Sequence, residues 1–223
     1  MSDMKQYSIT LTGQTPILMH SDNIPGAERL AKWRKDPANK KISQAGDDRT
    51  PAWTWTTYVY HDGHEIGIPS DNLMTMLREG GAKVTRSGKS TFKKETQAGI
   101  IMDQQQFRLL VNGKPISIEP IRALVGNNDF SAHLDLAESL GFELLVKRAA
   151  IGRAKHIRVR PMFREWVAVG SMTVLNEEQS GLTSDILQTI WTQAGAFVGI
   201  CDWRPSSGAS GTFGRFTATV EAM

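Results

Sequence analysis

The chain has 223 residues, a hydrophobic fraction of 40%, a formal charge of +3 and a sequence pI near 9.0. That length and apolar content suit one elaborated domain with its own core, and the mild basic excess suits a polyanionic partner. One cysteine, Cys201, excludes an internal disulfide framework and a Cys-cluster zinc site; with no charged-then-apolar leader and no apolar run of membrane length, the expectation is a soluble cytoplasmic protein.

In chain order, "KQYSITLTG" alternates Tyr7, Ile9 and Leu11 and reads as a first strand. The Pro-, Gly- and Lys-containing stretch that follows, residues 15–51, is too long for an ordinary connection and reads as a functional excursion or a partly mobile segment. "WTWTTYVYHDGHEIGIP" carries an Asp62-Gly63 turn between two alternating runs, a hairpin signal. "SDNLMTMLREGG" reads as a helix with Ser70 as its cap, Leu73, Met76 and Leu77 on one face and Gly80-Gly81 at its end. Between Gly99 and Val125 short strand-like pieces surround an Asn112-Gly113 turn, and "DFSAHLDLAESLG" places Phe130, Leu134, Ala137 and Leu140 at helical spacing.

"FELLVKRAAIG" reads as a strand running into a basic arm, "RAKHIRVRPMFR", and "WVAVGSMTVL" as a clear strand. "TSDILQTIWTQAGAF" is a Thr183-capped helix with Ile186, Leu187, Ile190, Trp191 and Ala194 on one stripe. "GRFTATVEA" closes the chain. The strongest elements run strand, helix 70–79, strand 142–148, strand 166–175, helix 183–194, strand 214–220. That is the order of a ferredoxin-like (RRM-like) split βαβ unit, so the expected fold is α+β. It is read as a single domain over 1–223, with a palm from 1–19, 54–80, 140–148 and 166–223 and insertions at 20–53, 81–139 and 149–165.

Charge is clustered. Lys147, Arg148, Arg153, Lys155, Arg158, Arg160 and Arg164 occur without an intervening acid, six cations lie between Arg29 and Lys41 against Asp36, and six between Arg78 and Lys94 against Glu79. In an extended segment Arg158 and Arg160 share a face, and Pro161 then stops an interior strand. Such an arm follows a phosphate backbone without reading sequence, or is a solvated ribbon. In "GICDWRPSSGASGTFGRF", Gly208, Gly211 and Gly214 let a backbone approach a ligand and offer N–H groups to phosphate, flanked by Arg204 and Arg215. Trp203 and Phe213 either stack on unpaired bases or fill the core.

Catalytic motifs fail on spacing. "GKS" at Gly88–Ser90 has Lys83 where a phosphate-binding loop needs glycine. His61 and His64 flank a tight turn with no third ligand nearby, and no metal site or cofactor is expected. Asp22, with His20 after the first strand, is the one candidate for catalysis, through a metal; the alternative is an Asx turn by Asp22 or Asn23.

"IPSDNLMTMLREGG" resembles the strand-end proline, capped helix and helical arginine of the RAMP superfamily of CRISPR-associated proteins. "GTFGRF" is similar to that superfamily's C-terminal glycine-rich signature, and element order resembles the backbone subunit that polymerises along CRISPR RNA. The resemblance implies a ferredoxin-like palm with a thumb-like insertion, here the basic 147–164 arm. It places Ser70, Asn72 and Arg78 near the RNA backbone, puts Gly211, Gly214 and Arg215 in the glycine-rich loop, and sets Asp22 where some such subunits cleave target RNA. The expected function is non-catalytic binding of single-stranded RNA, or single-stranded DNA. Copies of the chain, with other effector subunits, are the expected partners, and no membrane is. The alternatives are a metal-dependent ribonuclease using Asp22 and a structural self-assembling protein of phage or mobile-element origin.

Overall fold

The computed structural model describes residues 4–39, 43–44, 47–48, 51–151, 154–208 and 211–223. It is a mixed α+β fold. The central sheet is antiparallel, with β5 (Gln106–Val111), β8 (Val167–Val174), β1 (Lys5–Gly13) and β9 (Phe216–Ala222) side by side in that order. The short strands β3 (Gly67–Pro69) and β4 (Ile100–Met102) pair with β5 and β8.

Alternation decides which face is covered. Tyr7, Ile9 and Leu11 of β1, Phe107 and Leu109 of β5, Ala168 and Met172 of β8, and Phe216 of β9 are buried under two helices. These are α2 (Ser70–Gly81) and α5 (Ser184–Phe197), which insert Leu73, Met76 and Leu77, and Leu187, Ile190 and Trp191. Fully burying each such side chain stabilises the fold by about 1.5–3 kcal/mol. The other face is polar, carrying Gln6, Thr10, Thr12, Thr217 and Thr219 in the open.

The second strand of this sheet corrects the expectation. Residues 142–148 do not enter it; the place beside β8 is taken by β5, inside the segment 81–139 expected to be an insertion. Instead β6 (Glu143–Ile151) and β7 (Ala154–Phe163) form a long hairpin, extended by β2 (Ile17–Leu18) into a separate three-stranded sheet. Pro161 does not end β7. It pairs with Leu144, and its carbonyl accepts from the Met19 N–H at 3.2 Å, where the pairing with β2 runs out and its missing donor costs little.

The expected strand before the Asp62 turn is a 3-10 helix, Ala52–Tyr58. The hydroxyls of Thr54, Thr56 and Thr57 each donate to the carbonyl three residues back, at 2.7–2.8 Å, which competes with any ladder. Trp55 from this helix packs edge-on against Phe142, which contacts Phe163, so the base of the hairpin is clamped at both strands. The Trp55 indole donates to Nδ1 of the buried His133 at 3.0 Å. Since indole only donates, Nε2 carries the imidazole proton and donates to the Asn127 carbonyl at 2.9 Å. His133 and Ala137 form the buried stripe of α4 (Phe130–Ser139), and Leu134, expected inside, is 44% exposed.

The excursion after β2 holds α1 (Ile24–Lys35), whose N-cap is Asn23, accepting from Gly26 N–H at 2.8 Å. Among the described residues no helix is long and apolar enough to cross a membrane.

Candidate functional site

The hairpin presents two chemically different faces. Val146 and Val159 are cross-strand partners on one, with Val159 buried. On the other, Lys147 stands directly opposite Arg158, and Arg160 lies opposite Leu145. Arg158 and Arg160 share a face as expected. Like charges directly across a ladder cost stability, so strand pairing by itself does not call for this row.

The row abuts the C-terminal loop. Lys147 Nζ lies 3.7 Å from the centre of the Trp203 ring and the Arg160 guanidinium 5.3 Å from it. Phe213 stacks on the same ring system with centroids 6.2 Å apart. Trp203 and Phe213 therefore face each other, and Trp203 joins the loop to the hairpin. Arg160 is only 9% exposed, and its Nη1 lies 2.5 Å from Asp202 Oδ2. Burial works against the charge of Arg160 and Asp202 favours it.

Gly211 and Gly214 have a different role from the one expected, whereas a Cβ on Gly208 would meet nothing within 4 Å. Residues 199–203 cross residues 211–214 backbone to backbone. A Cβ on Gly211 would fall 1.5 Å from the Trp203 carbonyl oxygen, and one on Gly214 2.0 Å from that of Ile200. Gly214 also has φ +75, favourable only for glycine. Its N–H donates to the Pro16 carbonyl at 2.8 Å and its carbonyl accepts from Ile200 N–H at 3.0 Å. Gly214 is thus no free main-chain donor: its N–H is consumed inside the molecule.

The flanking arginines are partly engaged as well. Arg215 donates through Nη1 to the Ala196 carbonyl in the last turn of α5, and its own carbonyl accepts from Gln14 and Thr15 N–H. Arg204 donates to Ser206 Oγ at 3.0 Å and to the Cys201 carbonyl at 3.4 Å, and approaches Glu79 at 3.8 Å.

Beside this junction lies a cleft of about 280 Å³, whose lining includes His20, Asp22, Tyr60, Asn72, Asp202 and Arg204. His20 stacks on Tyr58 at 4.4 Å. Burial above all, then Arg160, holds its imidazole below the ordinary pKa of 6.5, which keeps the ring neutral at pH 7. The Tyr60 hydroxyl donates to the His20 carbonyl at 2.9 Å, and burial pushes Tyr60 up to about 12. Asp22 is exposed at the rim, and Asn23 rather than Asp22 makes the capping bond. Among the described residues no group of three or more His, Cys, Asp or Glu could hold a metal ion. The buried Cys201 thiol is pushed up to about 12 by burial, which suits a small hydrophobe.

Asn72, Arg160, Trp203 and Arg204 therefore meet at one place, with Lys147 and Arg158 continuing from it. Ser70 does not join them. Pro69 holds the N-cap position of α2, and the Ser70 hydroxyl donates to the Gln104 carbonyl at 2.5 Å. Arg78 is half-buried further along α2. The side chains of Arg148 and Lys155, and all of Arg153, lie outside the described residues. Asp202 escapes sequence reasoning, because its partner Arg160 is brought to it only by the fold.

A larger cavity, about 490 Å³, lies elsewhere, on the open face of the central sheet among Asp62, Glu65, Gln104 and Arg108. Its one cation, Arg108, is already paired. The Asp62 carboxylate accepts from His64 and Glu65 N–H, and Glu65 pairs with Arg108 at 2.7 Å. It offers no excess positive charge to a phosphate, so the cation row is the stronger candidate. Compared with protein-family models and with curated proteins, the chain matches none.

Proposed function

We propose that the chain binds single-stranded nucleic acid, RNA by preference, as a backbone subunit that assembles side by side in a CRISPR-effector-like complex. What supports this most directly is the Lys147–Arg158 cross-strand pair with Arg160 behind it. It is a like-charge row, costly to the hairpin, at the edge of a polar cleft. A phosphate backbone laid along the row relieves that repulsion and releases counterions.

The strand order β5-β8-β1-β9, with α2 and α5 on one face, supports a ferredoxin-like palm with the β6–β7 hairpin as its thumb-like insertion. RRM-type palms stack bases on aromatics of the open sheet face. Here that face carries Gln6, Thr10, Thr12, Thr217 and Thr219, so the strand belongs on the hairpin instead.

The test is the double substitution Lys147→Ala and Arg158→Ala, with affinity for a labelled single-stranded RNA measured across a salt series. The expected result is weaker binding, with the log–log salt slope reduced by about 0.7 for each phosphate that is no longer neutralised. Unchanged affinity and slope would mean that the row is only surface. Light scattering of the purified protein with and without nuclease treatment tests the assembly.

A further inference from the structure

We infer that Asp202 is the resting occupant of a phosphate site on Arg160, and that an incoming strand takes this guanidinium by displacing the carboxylate. The inference rests on the binding function proposed above and adds how that site is held when empty.

The Arg160–Asp202 pair is close but poorly matched. A guanidinium has five donors in a planar fork that suits two parallel bonds to a carboxylate or phosphate. Here one Nη1 meets one oxygen at 2.5 Å, without the alignment of a hydrogen bond. The buried Arg160 Nε and Asp202 Oδ2 are both left without a hydrogen-bond partner among the described residues. A buried ion pair repays its desolvation only when the geometry is good and the remaining donors are satisfied. This one leaves the fork half used.

The backbone that carries Asp202 is held in an uncommon form. Cys201 and Trp203, on either side of it, have φ of +61 and +55, in the left-handed region that non-glycine residues seldom occupy. Asp202 N–H donates to the Leu18 carbonyl at 3.0 Å, which sets the residue against the edge of the hairpin sheet. Two strained residues thus bracket the carboxylate that lies on the buried cation.

The carboxylate also has a way out. The Asp202 side chain is 29% exposed and lines the cleft, whereas Arg160 is 11% exposed by the same measure. Arg160 follows Arg158 on the same face of β7, so a phosphate backbone tracking Lys147 and Arg158 reaches it next. A phosphate on the edge formed by Nη1 and Nη2 makes two parallel bonds where the carboxylate meets Nη1 alone. Exchange then trades one anion for another on the same cation, with Asp202 moving into the cleft.

The test compares Asp202→Asn, Asp22→Asn and Asp202→Asn with Arg160→Gln, by anisotropy on a labelled single-stranded RNA. Asp22 is an exposed carboxylate on the same cleft and reports the general effect of removing a negative charge. Asp202→Asn is expected to bind about tenfold tighter than the parent, Asp22→Asn to change affinity much less, and Arg160→Gln to remove the gain. An Asp202→Asn protein that binds no tighter than Asp22→Asn, or a gain that survives Arg160→Gln, overturns the inference. The proposed function stands in that case if the Lys147→Ala, Arg158→Ala protein is still weakened. If the parent protein binds no strand, the proposed function falls and this inference with it.

A purely structural tie between loop and hairpin predicts the opposite sign, with Asp202→Asn less stable and weaker in binding, and that result also overturns it. Should Asp202→Asn fail to fold, the unsubstituted protein decides. Its Arg160 Nε–H resonance, identified by its absence in Arg160→Lys, shifts on addition of the strand if phosphate replaces Asp202. A resonance that stays put while binding saturates rules the exchange out.

Discussion

The two regions that meet at Trp203 use polar groups in opposite ways. In the crossing of residues 199–203 with 211–214, the N–H groups of Ile200, Asp202, Phe213 and Gly214 all donate to carbonyls of the protein itself. In the β6–β7 hairpin, the ladder joins the two strands while Lys147 and Arg158 stand across from each other in like charge. Glycine-rich and basic segments both look like phosphate binders in a sequence. Only the segment whose donors are left over after folding can act as one.

The largest effect that tests this contrast is expected at Gly214. If the crossing is structural, Gly214→Ala forces a Cβ to 2.0 Å from the Ile200 carbonyl oxygen at a φ of +75. Overpacking against backbone plus left-handed strain is expected to cost about 3 kcal/mol, read as a lower urea midpoint. If Gly214→Ala keeps the midpoint and loses nucleic-acid affinity, the loop is a ligand cradle after all and the contrast fails.

How much of this is visible in the sequence depends on the range of the forces. Strand β1 and helices α2 and α5 are legible because their apolar residues recur at periods of 2 and 3.6, and those periods hold in the structure. The shared face of Arg158 and Arg160 is legible for the same reason. The 3-10 helix is not, since "WTWTTY" alternates like a strand and only the threonine hydroxyls divert it. Choosing between 142–148 and 106–111 as the second strand is beyond local pattern, because both alternate and pairing is decided by partners far away in the chain. Asp202 and His133 escape notice for that reason too. Each gains its role from one residue, Arg160 or Trp55, that the fold brings to it.

A moderate effect sharpens the border between the two regions. Trp203 touches Lys147, Arg160 and Phe213, so Trp203→Leu is expected to lower stability by about 1 kcal/mol, since the cation–π and stacking interactions go with the ring. Strand affinity should hold, because Lys147 is released toward solvent. A base-stacking platform predicts the reverse, with affinity falling by about 1–3 kcal/mol per stacked base and stability little changed. Measuring both quantities on one variant separates a joint from a platform.

The smallest effect concerns His20, which feels both regions at once. Burial lowers its pKa first, Arg160 and Arg158 of the hairpin lower it further, and Asp202 of the crossing and Asp22 oppose them. Because the folded value lies below the unfolded 6.5, the unfolded chain takes up the proton first as pH falls. Stability from this residue is therefore full above about pH 6.5 and declines below it, through the depressed folded value. Titrating the His20 ring signal by NMR should give a pKa that rises in Arg160→Gln. It should rise again when a strand binds, since phosphate brings negative charge to the same cations. Binding that leaves the His20 titration unmoved would place the strand away from Arg160 and Arg158, and would remove the hairpin's claim to the phosphates.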